Sequence, residues 1–164
     1  MTNKIFRFHH TIRVRWSECD AQGIAYNATY LTWSDVAQVE YFRNLGLPIY
    51  EMASLNLFDT VTAKVTIEYK LPAKLDDLID IYVRIISIGT SSITMEYELH
   101  RHGTSQLLAT ILSIYAHYDN IKSQSRPVPE EFREMFNKFE EDGDIPSKEI
   151  IRRLNFDSLS NKIN

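Results

Sequence analysis

The sequence predicts an α+β fold in which five antiparallel strands wrap one long central helix, with a further helix at the C-terminal end. Three observations carry this. Residues 28–45 form one strongly apolar helical pattern. Four runs alternate apolar and polar residues with the period of two that a half-buried strand requires, and a fifth, residues 107–118, is apolar on both faces. Short turn segments join most of those runs, and short turns force antiparallel neighbours.

In chain order, Ile12, Val14 and Trp16 alternate with Thr11, Arg13 and Arg15, giving the first strand. A loop containing Asp20 and Gly23 follows. Tyr30, Trp33, Ala37, Tyr41 and Leu45 then recur at steps of three and four. Leu31, Val36, Val39 and Phe42 widen that apolar surface, so the helix is expected to be buried on most sides. Asn27 is expected to cap its start through the side-chain oxygen. Gly46 and Pro48 stop it.

Ala63, Val65, Ile67 and Tyr69 mark the second strand, and Ile79, Ile81, Val83 and Ile85 the third. Gly89-Thr90-Ser91-Ser92 is a turn into Ile93, Met95, Tyr97 and Leu99. A second turn around Gly103 leads into residues 107–118, apolar on both faces and so expected inside the sheet. Pro129, Glu130 and Glu131 open a last helix with Phe132, Met135, Phe136 and Phe139 on its inner stripe. The acidic stretch from Glu140 to Pro146 reads as a linker, and Ser147 as the cap of a short helix. The expected division is one domain over residues 1–140, then a linker and short helical tail over 141–164.

Composition narrows the function. Hydrophobic residues make up 44% and charged residues 24%, which fits neither a disordered nor a membrane-embedded chain. The net charge of −4 with scattered basic residues argues against nucleic acid as a partner. No apolar run is long enough to span a bilayer, and the first ten residues lack the core of a secretory signal. A single cysteine precludes an intrachain disulfide and fits a reducing compartment. The expectation is a soluble cytoplasmic protein.

Asp20 is the candidate centre. It lies on a glycine-containing loop just ahead of the central helix, where it can face that helix's N-terminal amides. A carboxylate beside unpaired N–H groups and a favourable dipole is the arrangement that acyl transfer needs.

Two segments resemble the hotdog-fold acyl-CoA thioesterases, in particular the 4-hydroxybenzoyl-CoA thioesterase-like group that includes the Tol-Pal-associated enzymes. The first is Asp20-Ala21-Gln22-Gly23-Ile24-Ala25-Tyr26-Asn27-Ala28-Thr29-Tyr30, with Asp, Gly and final Tyr in register. The second runs from Ile67 to Ile79 and holds Tyr69, Pro72-Ala73 and Asp76-Asp77. Arg126-Pro127-Val128-Pro129 resembles the segment that leaves the last strand in these domains. The similarity covers roughly residues 10–139.

The resemblance implies that Asp20 is the catalytic carboxylate, as nucleophile or as general base. It implies that backbone amides around Tyr26 and Asn27 polarise the thioester carbonyl, and that Gly23, Tyr30, Ser91 and Ser92 contribute to substrate binding. It further implies an acyl-CoA substrate, with an acyl-carrier protein as the alternative carrier, no cofactor and no metal, and a homodimer or homotetramer with sites at the subunit interface. Asn27 stands where the Tol-Pal-associated relatives carry His and others Tyr or Asn. The 89–92 turn lacks the basic residues some members use for CoA phosphates, leaving Arg84, Arg101 and Lys122 as other candidates.

Competing readings are weaker. Cys19 with a histidine would be a nucleophilic pair, but a lone cysteine is more often a packing residue. Glu40 on the central helix reads as a helix-edge carboxylate reaching solvent or an arginine. His9, His10, His100 and His102 lack metal-ligand spacing. A hydratase on the same fold would need a His near Asp20, and none is near it in sequence. A non-catalytic module that binds acyl thioesters is the remaining rival.

Overall fold

The computed structural model describes residues 5–145. Its elements are β1 (Phe8–Arg13), α1 (Thr29–Asn44), α2 (Ile49–Ser54), β2 (Thr60–Tyr69), β3 (Leu78–Ile88), β4 (Ser92–Arg101), β5 (Leu107–Asp119), β6 (Gln124–Ser125) and α3 (Glu130–Asp142). The long strands form one antiparallel sheet in the order β1-β3-β4-β5-β2, with β6 on the end of β5. The first strand read from the sequence thus becomes one edge and the second the other. The helix expected from Ser147 lies outside the described residues.

β-branched residues at alternate positions make β3 a natural strand, and Ile79, Ile81, Val83 and Ile85 are all buried. Opposite them on the same face stand Ile93, Met95, Tyr97 and Leu99 of β4. α1 packs on this face over β1 and β3 through Tyr30, Trp33, Ala37 and Tyr41. Its end is a Schellman motif: Gly46, at φ 76°, donates to the Arg43 carbonyl at 2.9 Å, and Leu47 to that of Phe42 at 2.9 Å. Leu47 is buried and locks the turn into the core.

Several expectations need correction. Trp16 is not in a strand. β3 begins at Leu78 opposite Arg13, and the pairing runs out one residue later, where Val14 donates to the Asp77 carbonyl at 2.9 Å and accepts the Asp76 N–H at 3.1 Å. The chain instead makes a 3₁₀ turn over Trp16–Glu18, held by the Glu18 carboxylate on the Arg15 N–H at 2.7 Å, and Trp16 is left 80% exposed. α1 is less enclosed than its sequence suggests, since Leu31 and Val36 face outward in the single chain. Asn27 is not its cap residue: Ala28 holds that position, with Asn27 Oδ1 accepting its N–H at 2.9 Å. Pro48 does not merely stop α1 but opens α2, which is anchored by buried Met52. β5 lies inside the sheet as expected, yet Leu112 on its outer face is exposed. Bulges at Ala63 and Ile86 break the simple alternation.

α3 carries the stripe read from the sequence, with Phe132, Met135, Phe136 and Phe139 all buried. It runs on to Asp142, past the start of the expected linker, and Gly143 at φ 79° ends it. Glu140 is not a linker residue. It accepts the Tyr41 hydroxyl at 2.6 Å and the Ile85 N–H at 2.8 Å, while burial raises its pKa.

His117 on β5 is 1% exposed and stacks on Phe58 at 5.1 Å. Its Nδ1 lies 2.8 Å from the Pro127 carbonyl, so the proton sits there, and Nε2 has no partner among the described residues. Burial holds its pKa below the ordinary 6.5. The unfolded chain therefore takes up this proton more readily than the folded one, so stability falls as pH drops below about 6.5. Urea midpoints are expected to decline from pH 7.5 to 5.5 in the parent and to decline less in His117→Asn. Parallel profiles would show that the proton uptake lies elsewhere.

Candidate active site

The Asp20 loop is a closed turn. Gly23 donates to the Asp20 carbonyl at 3.0 Å, and Asp20 donates back to Ile24 at 2.9 Å. The Asp20 carboxylate accepts the Gln22 N–H at 2.8 Å, which fixes the side chain over its own backbone. Gly23 has φ 75°, and a Cβ there would meet nothing within 4 Å. Backbone conformation, not crowding, is what asks for glycine. Bridges from Cys19 to Ala25 and from Ile24 to Lys74 seat the loop against the segment before β3.

The amides from Ala25 to Thr29, leading into α1, can be traced in turn. Ala25 donates to Ala73 at 2.9 Å, Tyr26 to Glu18 at 2.9 Å, Ala28 to Asn27 Oδ1 at 2.9 Å and Thr29 to Tyr26 at 2.9 Å. The Asn27 N–H has no acceptor among the described residues. The expectation that amides around both Tyr26 and Asn27 are available is thereby narrowed to Asn27, because the Glu18 carbonyl occupies that of Tyr26. A free N–H at the positive end of a sixteen-residue helix is a site where negative charge is favoured.

Asp20 and Asn27 line one cavity of about 470 Å³, together with Tyr26, Tyr30, Tyr69 and Pro72. Tyr30 is buried, and its hydroxyl accepts the Ala73 N–H at 3.2 Å, so it braces the wall as much as it lines it. Burial raises its pKa, and the phenol stays neutral. The Asp77 carboxylate accepts the Lys74 N–H at 2.8 Å and pairs with Arg101, which shapes the rest of that wall. Asp20 and Gly23 also line a second cavity of about 480 Å³ on the loop's other side, with Trp16, Cys19 and Leu75.

Ser91 and Ser92 are not brought to Asp20 within one chain. Ser92 pairs with Ala116, whereas the cavity wall at Lys70 and Leu71 bonds to Leu108 at the other end of β5. At about 3.3 Å per residue these ends lie more than 20 Å apart. Among the rival groups, the Cys19 thiol points to the Arg15 carbonyl at 3.6 Å, and Glu40 pairs with Arg43. His100 meets Glu98 at 3.1 Å and His102 meets Asp80 at 2.9 Å. Arg84 pairs with Glu96 at 2.5 Å. What sequence reasoning missed is Tyr69, whose hydroxyl donates to the Asn27 carbonyl at 2.9 Å. Its place beside Pro72-Ala73 in the matched segment was the signal available.

Residues 14–136 match the family model described as the thioesterase-like superfamily. The chain belongs to that superfamily. Among its thioesterase-like relatives, the acyl-CoA thioester hydrolase YbgC of Escherichia coli O157:H7 is 30% identical over 131 residues, covering 79% of this chain and 93% of that protein. The acyl-CoA thioesterase YbgC of Haemophilus influenzae is 29% identical over 104 residues, or 63% of this chain and 76% of its own. A thioesterase from Thermus thermophilus, solved with coenzyme A and Zn, superposes with a TM-score of 0.72 at 25% identity, covering 82% of this chain and 95% of that one. The 1,4-dihydroxy-2-naphthoyl-CoA thioesterase of Synechocystis shares the fold at a TM-score of 0.71 and 18% identity, over 77% and 92% of the two chains. The curled antiparallel sheet around α1 is thus the hotdog fold of the thioesterase-like superfamily. No described helix is long and apolar enough to cross a membrane.

Proposed function

We propose that this chain hydrolyses an acyl-CoA thioester to the free acid and CoA, with Asp20 as the catalytic carboxylate and the Asn27 N–H as the oxyanion donor. The observation that carries the proposal is the meeting of these two groups in one cavity, one anionic and one a free helix-start donor. The acyl-CoA hydrolases among its relatives support the choice of substrate class.

The thioester carbonyl carbon sits between them. Asp20 either attacks that carbon, giving an anhydride that water opens, or takes a proton from an attacking water. In both routes the carbonyl oxygen gains charge beside the Asn27 N–H, where the α1 dipole stabilises it. The leaving thiolate is a weaker base than an amine, so one carboxylate suffices without a triad. Two copies pair through edge strand β2, whose Val61 and Tyr69 are exposed, and the partner supplies Ser91 and Ser92 from the far turn.

The test is release of free thiol from short, long and aromatic acyl-CoAs, with an acyl-carrier-protein thioester in parallel. Saturable turnover of at least one acyl-CoA is expected. Tight binding of every thioester with no thiol released would leave a binding module and reject the hydrolase.

A further inference from the structure

Both peptide planes that flank Asn27 are tethered. The Tyr26–Asn27 peptide is held through its oxygen, which accepts the Thr29 N–H at 2.9 Å. The Asn27–Ala28 peptide is held at both ends: its N–H by Asn27's own Oδ1 at 2.9 Å, and its oxygen by the Tyr69 hydroxyl at 2.9 Å. The one polar group left untethered is the Asn27 N–H.

Tyr69 reaches Asn27 from 42 residues away, and its ring is itself fixed. It pairs with Ala109 at the end of β2 and meets Tyr30 edge-on, with centroids 5.1 Å apart at 88°. Tyr30 in turn is anchored to the Ala73 N–H. Partial burial raises the Tyr69 pKa, which keeps the hydroxyl a donor at neutral pH.

We infer that Tyr69 is a positioning residue: its hydroxyl pins the Asn27 carbonyl so that the Asn27 residue offers its N–H, and not its oxygen, to the developing oxyanion. The physical reason is a dipole argument. A free carbonyl at this place can swing its negative end towards the charge that forms in the transition state, and the two would repel. Holding the oxygen on Tyr69 removes that conformer and aims the adjacent N–H. The Asn27 side chain completes the same clamp from the other end, which gives this asparagine a role without a titratable group.

The inference rests on the thioesterase reading, and Tyr69→Phe tests it because phenylalanine keeps the ring on Tyr30 and loses only the donor. A fall in kcat of about three- to tenfold is expected, the worth of one lost hydrogen bond. KM should stay within twofold and the melting temperature within about two degrees. Tyr69→Leu should lose the same factor in kcat and also lower the melting temperature, since it removes the ring as well. In ¹H–¹⁵N spectra of Tyr69→Phe, the Asn27 and Ala28 amide resonances should move. Unchanged kcat, or a loss carried by KM alone, overturns the positioning role, the second because it means substrate contact. If the parent releases no thiol at all, the thioesterase reading fails, and with it the catalytic role of the clamp. The amide resonances then decide whether the clamp itself exists, and static resonances would reject that too.

Discussion

Asp20→Asn is expected to lower kcat by about 10²- to 10⁴-fold on every acyl-CoA that the parent cleaves, the range associated with loss of a general base. The substitution is chosen because the loop should not register it. Asparagine keeps an Oδ1 that can accept the Gln22 N–H now bonded at 2.8 Å, and it is equally at home in such a turn. The backbone bonds from Gly23 and to Ile24 do not involve the side chain. What disappears is the negative charge, and with it both the nucleophile and the base. Thiol release measured beside a thermal melt separates the two effects: an unchanged melt with turnover lost places the chemistry on the carboxylate. Turnover within tenfold of the parent would remove Asp20 from the mechanism. The Asn27 N–H alone would then have to account for the rate, and Cys19, on the same loop, would be the next nucleophile to test.

The strands and α1 were legible because their signal is local and repeated. Ile79, Ile81, Val83 and Ile85 alternate whatever else the chain does, and all four are buried. Gly46 two residues beyond α1 needed only its own φ to be understood. The errors fall where a partner distant in sequence decides. Trp16 continues the β1 alternation and leaves the strand only because β3 begins opposite Arg13. The Tyr26 amide looks as available as that of Asn27 until the Glu18 carbonyl is found on it, eight residues back. Tyr69 is one of nine tyrosines, and nothing local marks it as the one that holds the Asn27 carbonyl. The loop and the helix start could be read; the hydrogen bonds that decide which amide is free could not. The same holds for Phe58, which lies in a stretch with no periodic pattern and yet has no exposed surface.

Phe58→Ala is therefore expected to cost about 3–5 kcal/mol of stability, the range for a fully buried phenylalanine that leaves a cavity. Its ring sits 4.5 Å from Phe132, 5.1 Å from His117, 5.9 Å from Phe136 and 6.0 Å from Phe42. These neighbours come from α3, β5 and α1, so one truncation removes contacts from three elements at once. The gap closes poorly, because each neighbour is held elsewhere. His117 is bonded to the Pro127 carbonyl, α3 is tied by Arg133 to the Ile88 and Gly89 carbonyls at 2.9 Å, and its end is fixed by Glu140 on Tyr41. Rigid surroundings leave the cavity open, which is the condition for the upper part of the range. Phe58→Leu fills most of the volume and should cost only about 1–2 kcal/mol. Urea denaturation at constant pH reads both. The contrast between the two variants is the informative quantity: a large loss for alanine alone identifies packing around Phe58 as what docks α3 on the sheet. A loss under about 1 kcal/mol for alanine would mean that α3 settles into the vacated space, and that its polar ties to the β3–β4 turn and to Tyr41 hold it without the aromatic cluster.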